Sequence, residues 1–525
     1  MKSGAFTLFV CLATIFGNGV ATTTPANPGI TVTTQEGPVS GQLVLPTVRQ
    51  FLGIPYASAG RWEAPVKPAQ RNSTFQATSY SNGCLQLKTP GQIEFLQLLG
   101  GQGIDIPEGE DCLTVNIWAP STSRQQNTAV LIWIHGGGAQ IGSSHLPIYN
   151  GSNLVRDHDD IILVTFNYRL NLFGQPNAPQ LASTTASQNF GYLDQTAAIQ
   201  WVHDNIAAFG GDPNRITLFG QSGGGVAGDA YAFVHPNDTI VKGIIQQSGN
   251  VASFSQPTFA NPSVDAATWN ALASAVGCGT TADAAQLTCM KAVPAQTLES
   301  TAISNNFNFQ VIVDDIYVFS DYPQRTAAGN FLKVPILAGS ALNDGDLLTV
   351  APQLTATGIT VPFATQLMGD IFTELGFTCP AGASLQGRLA ANVPAWRYQY
   401  QAMFANLSPR QDLRAFHASE IPLVFGTFST IKFAPPSQDE IGLSRYMQSA
   451  WVAFARDPVH GLTNFGWPVY NPTTASTAQL GNIQNITGTV FTQGALLDLL
   501  CTPTALGAFQ SFVGTLTGLL TPPSS

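Results

Sequence analysis

Charge is scarce in this chain. Asp, Glu, Lys and Arg make up 10% of its 525 residues, with 21 Lys+Arg against 31 Asp+Glu and a formal net charge of -10. No basic cluster interrupts that balance, which excludes nucleic acid as a partner. Long apolar runs are missing too. The first, Ala5 to Phe16, is shorter than the roughly 20 residues a membrane span needs. The run from Phe509 to Leu520 is broken by Gly and Thr and ends in Pro and Ser. It reads as a packed amphipathic end and not as a lipid-anchor signal. There is no internal repeat, charge block or Ser/Pro linker, so 22–525 reads as one decorated domain, although its length exceeds the usual single core of about 250–300 residues.

The N-terminus carries Lys2, then the short apolar run, then small residues ending at Ala21. That is the layout of a secretory signal, expected to span 1–21 and to be cleaved after Ala21. The chain has 7 Cys, and setting aside Cys11 in that segment leaves an even set, which suits an oxidising compartment. Sequence alone leaves the pairing open. Sequons at Asn72, Asn150, Asn237, Asn406 and Asn485 fit the same setting, with Pro409 making Asn406 the least favourable acceptor. A secreted, extracellular protein is expected.

What the chain has in abundance is glycine, 50 residues, and two glycine motifs carry chemistry. Gly220-x-Ser222-x-Gly224 follows the short apolar run Ile216 to Phe219 and precedes a helix-compatible stretch from Gly225 to Val234. A serine hydroxyl is a poor nucleophile until it is presented to a base. A sharp strand-to-helix turn presents it, and the crowded backbone there demands tiny neighbours. In so glycine-rich a chain this motif alone is weak. Upstream, His135-Gly136-Gly137-Gly138 follows the apolar run Ala129 to Ile134. Bare backbone N–H groups after a strand suit an oxyanion hole beside the serine. The two motifs, in this order and each after its own strand, point to a serine hydrolase. Asp194 to Phe209 has helical spacing. Leu113–Ala119, Val130–His135, Ile161–Tyr168, Ile216–Phe219, Gly243–Gln247 and Pro335–Gly339 read as strands, the later ones as apolar as a parallel sheet covered on both faces requires. A starting hairpin is expected from Ile30–Thr34 and Gln42–Val44 around Glu36-Gly37-Pro38.

Long stretches resemble the type-B carboxylesterase/lipase family, which includes cholinesterases and fungal lipases. They run Phe51 to Ala57, Arg61 to Pro65, Glu110 to Pro120, Asn167 to Arg169, Phe209 to Gly224, Gln247 to Gly249 and His417 to Gly426. The resemblance implies an α/β-hydrolase fold: a large, mostly parallel, doubly wound sheet with helices on both faces and inserted loops. It implies bridges Cys84–Cys112, Cys278–Cys289 and Cys379–Cys501, and no metal or cofactor. In this fold the partners follow in the order serine, acid, histidine. Of the 7 His, only His417 and His460 lie late enough. His460 sits in a turn-rich stretch, whereas His417 precedes a helix-start signal and matches the family's His-x-x-Glu, so His417 is the expected base. The acid should follow the strand Pro335–Gly339. Asp344, before Gly345, holds the place of the family's usual Glu, and Asp346 is the alternative. Gly137, Gly138 and Gly223 are the expected oxyanion donors. His135 is expected to pack or orient that loop.

For substrate, the resemblance speaks by its departures. Choline-binding relatives place a Trp in the loop of the first bridge and a Glu before the nucleophile. Here Cys84 to Cys112 holds no Trp, and Gln221 is uncharged. That loop instead carries Ile93, Phe95, Leu96, Leu98, Leu99, Ile104 and Ile106. A small neutral ester of short to medium acyl length is expected. The alternatives are a triacylglycerol lipase with 91–107 as a lid, or a non-catalytic adhesion module of the same family.

Overall fold

The computed structural model describes Met1 and residues 29–88, 92–93, 96–97, 106–124, 126–253, 262–346, 362–408, 410, 413–505, 507–508 and 511, of which 262–265 and 362–365 only in backbone. The signal segment with Ala21, most of the 91–107 flap (Phe95, Leu98, Leu99 and Ile104 among it) and the Phe509–Leu520 run fall outside the described residues.

The central sheet has 11 strands. They are β1 (Gln42–Leu45), β2 (Val48–Pro55), β3 (Thr114–Pro120), β4 (Thr128–Ile134), β5 (Ile161–Phe166), β6 (Gly211–Gln221), β7 (Val241–Gln247), β8 (Ile336–Ala341), β9 (Ala395–Tyr400), β10 (Ala475–Asn482) and β11 (Asn485–Gln493). Their order across the sheet is β11-β10-β9-β8-β7-β6-β4-β5-β3-β2-β1. The run from β5 through β10 is parallel. Antiparallel strands close both edges.

β4 shows why the sheet must be covered twice. Val130, Ile132 and Ile134 point into a core shared with Ile199, Trp201 and Ala227. Ala129, Leu131 and Trp133, alternating with them, enter a second core with Met447, Trp451 and Phe454. A strand of period 2 with both faces apolar is stable only between two layers. The layers are helical. α1 (Phe190–Asn205) and α2 (Gly223–Val234) cover the first face, and α5 (Gln438–Arg456) covers the second. The start of α5 is fixed by a capping box between Ser437 and Glu440. Between them in sequence lie α3 (Pro362–Thr373) and α4 (Cys379–Ala390), joined by a π-helical turn at Glu374–Thr378.

The expected starting hairpin is corrected. Thr31–Thr34 pairs with Gly37–Ser40, and together with Phe75–Gln76 they form a separate small sheet, while Gln42–Leu45 turns back to pair with β2. The turn at Glu36 is tight enough to pair Thr34 with Gly37, so the strand that follows it at once takes the place expected for Gln42–Val44. Disulfides join Cys84 to Cys112, Cys278 to Cys289 and Cys379 to Cys501, with Cα–Cα separations of 5.0, 5.6 and 5.3 Å. Among the described residues, no helix is long and apolar enough to cross a membrane.

Candidate active site

β6 lies in the middle of the sheet, between β4 and β7, and ends at Gln221. α2 begins at Gly223, so Ser222 is the whole turn. Its backbone has φ 55° and ψ -125°, a conformation few side chains tolerate. The glycines around it are there because the chain passes too close for a Cβ. At Gly224 a Cβ would overlap the carbonyl of Ile134, at Gly220 that of Gly224, at Gly225 that of Gly249, and at Gly249 that of Ser222 itself. The strain is held by the backbone: Ser222 N–H donates to the Gln247 carbonyl at 2.8 Å, and Val226 N–H to the Ser222 carbonyl at 3.0 Å.

The oxyanion loop leaves the end of β4 beside this turn. A Cβ on Gly223 would stand 2.9 Å from the Gly138 nitrogen, so the three expected donor residues share one small volume. Gly137 (φ 105°) and Gly138 (φ 62°) have backbones only glycine adopts readily. Neither N–H has a hydrogen-bond acceptor among the described residues. Gly138 is exposed, with nothing within 4 Å of where its Cβ would be. His135, expected to pack or orient that loop, is buried and bonded to it. Its ring stacks on Tyr168 at 4.3 Å, its Nδ1 lies 2.9 Å from the Gly136 carbonyl, and its own carbonyl accepts from Tyr168 Oη at 2.7 Å. Burial pushes its pKa down to about 4. The Asn167-Tyr168-Arg169 stretch thus acquires a role that its sequence did not disclose. Tyr168 holds the oxyanion loop, and Arg169 anchors the stretch to α1 through two bonds to the buried carboxylate of Asp194, at 2.7 and 2.8 Å.

Asp344, the expected acid, follows β8. Asp344 is fully buried, and one carboxylate oxygen accepts from His417 Nδ1 at 2.7 Å. The other accepts from Ser248 Oγ at 3.0 Å and the Ala341 N–H at 2.8 Å. Three donors from three segments hold both oxygens, so the carboxylate is fixed in direction. The loop carrying His417 docks directly on the acid loop: Asn343 forms a parallel bridge with Phe416 and donates its N–H to Ala415 at 2.9 Å. That close docking is how an Asp, one methylene shorter than Glu, reaches the imidazole. Asp346, the alternative acid, does not face His417. It forms a two-point ion pair with Arg414 at 2.7 and 2.8 Å and so clamps the two loops together. His460 is exposed and pairs with Asp457, away from the site.

Two contacts on His417 were not anticipated. Phe377, on the π-helical turn, packs against the imidazole with ring centres 4.9 Å apart. Gln221 Nε2 lies 2.9 Å from His417 Nε2. Ser222 Oγ itself makes no hydrogen bond among the described residues, and apo catalytic contacts are commonly looser than those in a substrate complex. Gln247 also reaches the site, donating to Glu420 at 3.0 Å. Burial and the nearby Asp344 charge push the Glu420 carboxyl up to about 7. The Gln247-Ser248-Gly249 stretch therefore touches Ser222, Asp344 and the His417 loop at once. Its position in the sequence carried no sign of that.

Of the sequons, Asn72, Asn237 and Asn485 are exposed and Asn150 is half-buried. Asn406 differs from the other four: it is buried, and its amide nitrogen donates to Phe428 O at 2.8 Å and Glu440 Oε1 at 3.0 Å.

A serine on a strained strand-to-helix turn at the centre of a mostly parallel sheet, with acid and histidine on later loops, defines an α/β-hydrolase. The carboxylesterase family model matches residues 28–359 and 360–493. The chain is 35% identical over 457 residues to Secreted lipase 5 of Gibberella zeae, covering 81% of this chain and 84% of that one. It is 34% identical over 470 residues to chlorogenic acid esterase of Aspergillus niger, covering 87% and 88%. The solved structure of PNB esterase superposes with a TM-score of 0.73 at 28% identity, over 90% of this chain and 100% of that one. The protein belongs to the carboxylesterase family and is a carboxylic ester hydrolase.

Proposed function

We propose that Ser222, His417 and Asp344 form the catalytic triad and that hydrolysis passes through an acyl-enzyme on Ser222. The observation that carries this reading is the 2.7 Å bond between His417 Nδ1 and the buried carboxylate of Asp344, with the imidazole meeting the end of the elbow strand at Gln221. His417 Nε2 takes the Ser222 proton as Oγ attacks the ester carbonyl. The N–H groups of Gly137, Gly138 and Gly223 receive the oxyanion, and one such donor is worth a factor of about 100–1000 in turnover. His417 then gives its proton to the leaving alcohol, and water, activated in the same way, releases the acid. The active protein is 22–525, a single hydrolase domain secreted after loss of 1–21, with glycans on Asn72, Asn150, Asn237 and Asn485.

The substrate is a small neutral ester of short to medium acyl chain. Gln221 offers no negative charge beside the nucleophile, and no Trp in the Cys84–Cys112 loop offers a quaternary ammonium the contact that is worth up to about 2 kcal/mol when desolvated. A lipase reading is favoured by one observation, the match to a relative named a secreted lipase. Purified Ser222→Ala and His417→Ala are expected to lose at least about a thousandfold in kcat/KM on a nitrophenyl ester while keeping the fold. Near wild-type turnover in either overturns the triad. A panel of butyrylcholine, a neutral butyrate ester, a hydroxycinnamate ester and a long-chain triglyceride emulsion then fixes the class. The neutral butyrate is expected to lead, and a rate jump at the lipid–water interface would make the protein a lipase.

A further inference from the structure

The imidazole of His417 is held at both nitrogens. Nδ1 faces the Asp344 carboxylate at 2.7 Å. An ionised carboxylate only accepts, and its other oxygen is held by two further donors, so Nδ1 carries the hydrogen. Nε2 is then a bare lone pair, and the group opposite it must be a donor. The side chain opposite is Gln221, at 2.9 Å, and its amide nitrogen is the atom that fits. Gln221 is 3% exposed and His417 2%, so water competes little for either. Nε2 is also the atom that must take the proton of Ser222, the residue directly after Gln221.

We propose that Gln221 is a positioning residue that locks His417 as the neutral base in the resting enzyme and must release Nε2 in every turnover. The proposal rests on the triad reading above. When Oγ attacks, its proton moves to Nε2, the O–H bond breaks and the imidazolium holds two N–H groups. An amide N–H facing that new N–H is repulsive. The Gln221 amide must then turn away or offer its carbonyl oxygen. A hydrogen bond made only to the neutral imidazole favours the neutral form. Gln221 therefore extends the active range toward acid. A carboxylate at this position does the reverse, because it accepts from the imidazolium and attracts its charge.

Asp344, Glu420 and Phe377 act on the same ring, and Arg414 and Tyr398 act on those carboxylates or their loop. Asp344 comes from the loop after β8 and Glu420 from the His417 loop itself. Phe377, uncharged, comes from the π-helical turn and covers one ring face. Arg414 is neutralised by Asp346 and Asp370. The buried Tyr398 of β9 lies within the field of both Asp344 and Glu420. Among the described residues the hydrogen bond at Nε2 is to Gln221, so its effect is separable from theirs.

The test is the pH profile of kcat/KM on a neutral nitrophenyl ester, for Gln221→Met and Gln221→Glu. Met keeps the volume and removes the donor. The acid limb is expected to move up by a few tenths of a pH unit in Gln221→Met and by roughly 1–2 units in Gln221→Glu. Both limbs staying where the wild type has them overturns the proposal, even when activity falls equally at every pH, since a merely structural role does just that. A downward move in Gln221→Glu overturns it as well. If Gln221→Glu does not fold, the limb of Gln221→Met decides alone. His417→Ala measured alongside separates the two claims: high activity there sinks the triad, whereas an unmoved limb with a dead His417→Ala sinks only the role of Gln221.

Discussion

Around Ser222 the chain is held by backbone against backbone. The carbonyls of Ile134, Gly224, Gly249 and Ser222 sit where Cβ atoms would be, and main-chain bonds of 2.8 and 3.0 Å pin the turn. Around His417 the chain is held by side chains. Asp344, Gln221 and Phe377 reach its ring from separate elements, Ser248 braces Asp344, and the Arg414–Asp346 pair ties the base loop to the acid loop. The first arrangement has no tolerance for added volume but needs no charge. The second tolerates volume but depends on charge and proton position. The two halves of one active site should therefore break in different ways.

The largest effect is expected from volume at the elbow. Gly224→Ala pushes a methyl into the Ile134 carbonyl, and the turn has no side chain to move out of the way. The expected outcome is failure to accumulate folded protein, or folded protein without esterase activity. A soluble Gly224→Ala with wild-type kcat/KM would mean that backbone crowding is not what fixes the nucleophile.

Charge at the base loop should give a graded result. Asp344→Asn keeps the volume but offers a donor toward Nδ1 and stabilises the wrong tautomer, so a loss of about a thousandfold to ten-thousandfold in kcat is expected. Asp346→Asn leaves His417 untouched and only loosens the Arg414 clamp, with a loss on the order of tenfold. Steady-state kinetics of the two variants on one ester decide it. A reversed order would move the acid to Asp346.

The same contrast explains what the sequence disclosed. The nucleophile side is written in consecutive residues, His135 to Gly138 and Gly220 to Gly224, because backbone crowding is local and demands glycine in a row. Strands β4, β5 and β6 are legible for a related reason: both faces are apolar, so the run is continuous. The base side is assembled from residues far apart in the chain, and only the chain-order rule and the family pattern reach it. β9 was missed because Arg397 stands in its middle. The guanidinium is buried there and neutralised by Asp498 with two bonds of 2.7 Å, which no local pattern reveals. β10 and β11 escaped because their Thr, Gln and Asn do not read as a buried pair, although Ala478 and Leu480 are fully buried. Asp344 was readable as a position but not in its partners. Ser248 and Gln221 looked like motif spacing, and only the fold makes them contacts of the acid and the base.

The smallest effect is also the one that isolates charge from volume. Glu420 is fully buried, with one oxygen bonded to Gln247 at 3.0 Å and the other without a partner. Burial, reinforced by Asp344, pushes its pKa up to about 7 from an ordinary 4.5. The folded state therefore holds this proton more tightly than the unfolded chain does. Its contribution to stability is fully present below about pH 4.5 and is lost as pH rises through about 7. Glu420→Gln keeps the shape and the acceptor for Gln247 while removing the ionisation. Its melting temperature should match wild type near pH 4.5 and exceed it at pH 8 by about 3 °C, the scale expected when a shift from 4.5 to about 7, roughly 3 kcal/mol, is spread over a chain of about 500 residues. Thermal unfolding of both proteins at the two pH values checks it. An offset equal at both would mean that packing, and not the proton, makes the difference at this position, and the base loop would then resemble the elbow more than its charges suggest.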